Sequence, residues 1–75
     1  MKLYNNTSDV VEYTVSCSTS DNCGSLDPAQ TTDLPYFDNQ PGITVDFCPV
    51  SGNPFKVTIP ESKEGMAVTV GIYFE

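Results

Sequence analysis

Few residues in this chain can do chemistry: three cysteines, ten carboxylates and one pair of adjacent aromatics between prolines. A thiol becomes a nucleophile only as the thiolate, which needs a neighbouring base or positive charge. The chain has three Lys and no His, and no Arg occurs among its residues, so Cys17, Cys23 and Cys48 have almost nothing to activate them. The same absences rule out Ser–His–Asp and Cys–His constellations, imidazole metal ligands and the bidentate arginine clamp for phosphate. Three cysteines without histidine also make a poor zinc set, because structural sites take four ligands. Five residues separate Cys17 from Cys23, so a local bridge closing that loop, with Cys48 left free, fits the spacing.

The carboxylates suggest calcium instead. Asp21-Asn22, Asp27, Asp33 and Asp38-Asn39-Gln40 offer hard oxygen ligands in segments rich in turn residues. Asp21, Asp27 and Asp38 are the natural trio for such a site. Against it, the alternating acid order of an EF-hand is missing, and Asp and Asn favour loops for local reasons alone. No two acids are spaced as a general acid–base pair, and Gly24, Gly42, Gly52, Gly65 and Gly71 build neither a phosphate loop nor a dinucleotide fingerprint. The expectation is a protein that is not an enzyme and carries no cofactor beyond calcium.

The segment Pro35-Tyr36-Phe37-Asp38-Asn39-Gln40-Pro41-Gly42 has the composition of a recognition loop. Aromatic faces stack on sugar rings or fill a protein pocket, while Asp, Asn and Gln hydrogen-bond hydroxyls. Neighbours in an extended segment point opposite ways, so one aromatic is expected in the core and the other outside.

Charge is the sharpest feature. The net charge is −7, and between Lys2 and Lys56 there is no basic residue, whereas Asp9, Glu12, Asp21, Asp27, Asp33, Asp38 and Asp46 all fall there. Such a field repels phosphate backbones and anionic lipid, so direct nucleic-acid and membrane binding are disfavoured. It would steer a basic protein surface, with Asp33, Asp38 and Asn39 as polar contacts and Tyr36 and Phe37 as the apolar anchor. The plainer role for excess acid is keeping copies apart in solution.

The elements that must position these groups are strands. Val11, Tyr13, Val15 and Cys17 alternate with Glu12, Thr14 and Ser16; Ile43, Val45 and Phe47 with Thr44 and Asp46; Phe55, Val57 and Ile59 with Lys56 and Thr58. Residues 66–75 continue the pattern through Val68, Val70, Ile72 and Phe74, which reads as a long last strand. A short strand near 2–5 and a short edge strand before Pro35 complete the set, while 16–25 is a polar Ser/Thr/Asn-rich segment. Pro41-Gly42 suits the centre of a type II turn. Strands with one apolar face need a second layer, with Leu3, Leu26 and Leu34 as plugs.

The expectation is one all-β domain over 1–75: a small antiparallel β-sandwich or partly open barrel of five to six strands, the last three forming a meander. The N-terminus turns polar at once, without the apolar run of a secretory signal, which points to the cytoplasm. Three roles remain: a binding module for a basic protein surface, a calcium-assisted carbohydrate-recognition module, or a subunit that forms a homo-oligomer through edge strands such as the last one.

Overall fold

The computed structural model describes residues 1–18 and 20–73. It is all-β, with two sheets face to face as in a small sandwich, and no α-helix occurs among the described residues. In chain order the strands are β1 (Lys2–Tyr4), β2 (Val11–Cys17), β3 (Ser20–Leu26), β4 (Thr31–Asp33), β5 (Pro41–Pro49), β6 (Phe55–Glu61) and β7 (Ala67–Thr69). The larger sheet runs β3-β2-β5-β6, antiparallel throughout, and the smaller runs β4-β1-β7. No helix is long and apolar enough to cross a membrane among the described residues.

Period-two alternation sets the core. Val11, Tyr13 and Val15 of β2, Ile43, Val45 and Phe47 of β5 and Val57 and Ile59 of β6 are buried on one face of the large sheet. Leu3 of β1 and Val68 of β7 oppose them from the small sheet, and Leu26, Leu34 and Phe37 fill the space between. Each such side chain contributes about 1.5–3 kcal/mol when fully buried.

Three expectations need correction. Residues 20–26 are a strand, not a loop, although they show no apolar alternation. Their order comes from pairing: β3 runs antiparallel to β2 from Ser20 opposite Cys17 to Leu26 opposite Val11, Tyr13 lies over Gly24, where a Cβ would sit 2.7 Å from the phenol oxygen, and Leu26 anchors the far end in the core. The described residues therefore hold seven strands rather than five or six.

Second, β5 and β6 form the expected hairpin, but β7 does not extend it. It crosses to the small sheet and runs parallel to β1. Third, β7 has only three residues and gives way to a 3₁₀ turn over Val70–Tyr73. There the Gly71 N–H donates to Asn6 Oδ1 at 2.6 Å, so the strand loses a ladder donor to a side chain. Phe74 and Glu75, the end of the expected strand, lie outside the described residues.

Asn5 joins the two sheets at the end of β1. Its side chain is fully buried, and Nδ2 donates to the carbonyls of Asp9, Leu26 and Asp27 at 2.8, 3.0 and 3.2 Å. Oδ1 accepts from the Thr7 N–H and hydroxyl at 3.0 and 2.6 Å. The Asn5 backbone bonds Gln30 and Ala29, closing the turn into β4, where Ala29 takes φ 65°. Removing this carboxamide strands buried carbonyls, each costing about 1–3 kcal/mol. Asn5→Ala is expected to lower unfolding free energy by about 3 kcal/mol in a urea titration. A loss under about 1 kcal/mol would mean that water replaces the amide without penalty.

Candidate functional site

Inward alternation on the large sheet forces the intervening residues outward, and the register arranges them in rows. One row reads Ser25, Glu12, Cys48; the next Cys23, Thr14, Asp46, Lys56; the third Asp21, Ser16, Thr44, Thr58. Glu12, Asp21, Asp46, Cys23 and Cys48 are exposed on this one face. Lys56 Nζ lies 4.0 Å from Asp46 Oδ1, an exposed pair contributing little. Near Asp46 the face sinks into an open depression of about 390 Å³, lined by Glu12, Thr14, Cys48, Pro54, Phe55 and Lys56. Phe55 pairs with Phe47 across the β5–β6 register, and its half-buried ring, centroids 5.3 Å from that of Phe47, packs against the core, so the depression meets the ring's strand and Pro54 rather than an outward aromatic.

This face was legible in part. The sequence pattern put Glu12, Thr14 and Ser16, then Thr44 and Asp46, then Lys56 and Thr58, on the polar sides of three strands. It gave no reason to choose them as a site, because only the register shows that the three polar sides are one surface.

The recognition loop behaves differently from its expectation. Pro35–Phe37 form a 3₁₀ turn, in which Pro35 needs no amide partner and the Phe37 N–H donates to Leu34 O at 3.1 Å. Phe37 is 1% exposed and belongs to the core, so it is not available as a partner anchor. Tyr36 is 55% exposed and stands edge-on to Phe37, centroids 5.4 Å apart. One aromatic in and one out is the arrangement expected, reached through a turn rather than a strand.

Ser62 pins this loop. It is fully buried, its hydroxyl donates to Phe37 O and accepts from the Gln40 N–H at 3.0 Å, and its own N–H donates to Gln40 O at 2.9 Å. Asn39 takes φ 57° in the turn over 38–39, whereas Pro41 and Gly42, expected at the centre of a type II turn, instead open β5, with Gly42 at φ +66°.

One of the acids expected to face a partner, Asp38, is occupied, while Asp33 is exposed. Asp38 Oδ1 forms an ion pair with the buried Met1 ammonium, which also donates to Leu34 O at 3.3 Å. Asp33 sits directly across from Lys2 on the outer face of the small sheet. Asn39 is exposed beside Tyr36 in sequence but shares no surface row with the acids of the large sheet.

The calcium trio is not gathered. Asp21 is on β3, Asp27 in the turn to β4 and Asp38 after the 3₁₀ turn. Among the described residues, no three His, Cys, Asp or Glu side chains form a group able to hold a metal ion. Nor do Cys17 and Cys23 meet. Cys17 faces inward against the core opposite Ser20, while Cys23 pairs with Thr14 on the outer face, so alternation puts the thiols on opposite sides of one hairpin.

Compared with family models, with curated proteins and with solved structures, the chain shows no match.

Asp9 ties the two loops at one end of the large sheet. Its Oδ2 accepts from the Ser51 N–H and hydroxyl at 3.0 and 2.7 Å, and Oδ1 from the Val10 N–H at 2.9 Å. The Ser51 N–H, then its hydroxyl, hold the carboxyl below its ordinary value of 3.8, against a smaller opposing effect of burial. A depressed carboxylate stabilises the fold above its unfolded pKa and loses that contribution as pH falls through the folded one. Stability should therefore fall below pH 3.8 in the native chain. In Asp9→Asn, acid unfolding monitored by circular dichroism should show a shallower slope there and a lower starting stability at neutral pH. Identical acid limbs would mean that the Ser51 bonds add nothing.

A second expectation concerns the ion pair. Asp38→Asn leaves a buried ammonium without its counter-charge and should lower unfolding free energy by about 3 kcal/mol, read from the urea midpoint. Unchanged stability would show that Leu34 O and solvent suffice.

Proposed function

We propose that this chain is a non-catalytic binding module whose partner is a basic protein surface, engaged by the outer face of the large sheet. The observation that carries the reading is the convergence of Glu12, Asp21 and Asp46 on one exposed face, where Glu12 and Asp46 line a shallow depression. A lysine or arginine side chain entering beside Pro54 would meet carboxylates at Glu12 and Asp46, with the proline ring as an apolar surface for its methylene stem. The net charge of −7 adds long-range steering that salt weakens. The reading sets the binding face apart from the 33–39 loop, where Asp38 is taken by the Met1 ammonium and Phe37 by the core. The same reading puts the protein in a reducing compartment such as the cytoplasm, where exposed Cys23 and Cys48 stay thiols.

A second reading rests on Tyr36. An exposed ring braced edge-on by a buried one is a rigid platform for a sugar face, with the amides of Asn39 and Gln40 close in sequence. It predicts glycan binding that Tyr36→Ala abolishes and salt leaves alone.

The readings separate by titrating a lysine-rich peptide into the protein at rising salt. Affinity should fall with salt, and Glu12→Lys with Asp21→Lys should weaken it by at least about tenfold. Asp33→Lys should change it little. Binding indifferent to salt, or to reversal of Glu12 and Asp21, would overturn the proposal.

A further inference from the structure

A sandwich of two open sheets has four edge strands, and they are not protected alike. β4 and β7 are three residues long, too short to template much pairing. β3 and β6 each have seven residues and pair on one side only among the described residues.

Hydrogen-bond parity shows which groups face outward. The Val50 N–H donates to Val10 O at 2.9 Å, continuing the β2–β5 ladder, so even-numbered β2 residues bond β5 and odd-numbered ones bond β3. Through the registers, β6 presents the backbones of Lys56, Thr58 and Pro60 to its open edge. A lysine and a proline are the usual guards of an edge, the proline because it has no N–H to offer. β3 presents Asp21, Cys23 and Ser25, with no lysine, proline or bulge. Residues 21–25 are exposed throughout.

The geometry points to β3 as a docking edge for a second copy of this chain, paired antiparallel about a two-fold axis at Cys23. The three outward residues are symmetric about Cys23, so in that register Cys23 faces Cys23 of the second copy and Asp21 faces Ser25. About six backbone hydrogen bonds form, and the strand's one charge never meets itself. Asn22 and Gly24 are exposed on the inner side of β3, so the strand has no side-chain pockets to read an unrelated peptide, which strand addition uses for specificity. Self-complementarity is what this edge offers. The result is one continuous eight-stranded sheet across two sandwiches.

The test is sedimentation equilibrium on the full chain, with circular dichroism to confirm that each variant folds. A dimer with Kd of about 0.1 mM or tighter is expected. Added salt should tighten it, since each copy carries −7, whereas salt weakens the binding proposed for the outer face. Cys23→Lys sets like charges face to face and should weaken the dimer at least about tenfold. Ser25→Lys sets a lysine against Asp21 and should strengthen it, while Thr58→Lys on β6 should leave it unchanged. A short bismaleimide should link two copies in the native chain and in Cys48→Ser, and fail in Cys23→Ser. A monomer at about 0.1 mM in every salt, a dimer indifferent to Cys23→Lys, or cross-links that run through Cys48 would overturn the inference.

Discussion

The buried carboxamide of Asn5 is the point on which the two sheets depend. At 75 residues a sandwich has little apolar surface to spare, and β1 and β4 bring only three residues each to their sheet. Apolar packing between layers is non-directional and would tolerate sliding. Asn5 removes that freedom by addressing carbonyls on the β1–β2 loop, at the end of β3 and in the turn to β4. Its two amide hydrogens serve three acceptors, so every group must stay in place for the set to be satisfied. The reach of β3 in the large sheet is thereby tied to the position of β1 in the small one.

The distribution of charge follows from that scaffold. With the inner faces committed to Val, Ile, Leu and Phe, the acids had only loops and outer faces left. Where a loop acid found a donor it became structural: Asp9 with Ser51, Asp38 with the Met1 ammonium. Where it faced outward on a strand it stayed solvated, as Glu12, Asp21 and Asp46 do. Sequence counts treat these acids alike, but their surroundings divide them into those that hold the fold and those that face solvent.

The edges divide the same way. β6 meets solvent with lysine and proline, and the small sheet keeps its edges short, whereas β3 owes its order to its neighbour β2 rather than to the core. A strand polar on both faces has weak register specification and gains most from a second pairing.

The sequence by itself determined the all-β class, the inward faces of β2, β5 and β6, the plugs Leu3, Leu26 and Leu34, and the division of Tyr36 from Phe37. Each is local, because alternation and a proline-bounded aromatic pair carry their own physical reason. Only the tertiary structure decided that 20–26 is a strand, since pairing and Gly24 beneath Tyr13 stand in for an apolar stripe. It alone sent β7 across to β1 and ended it where Asn6 takes the Gly71 N–H, a long-range bond no period can show. Cross-strand register turned three separate polar faces into one surface, and it set Cys17 and Cys23 on opposite sides of a hairpin. Register is a relation between strands, so no single strand encodes it.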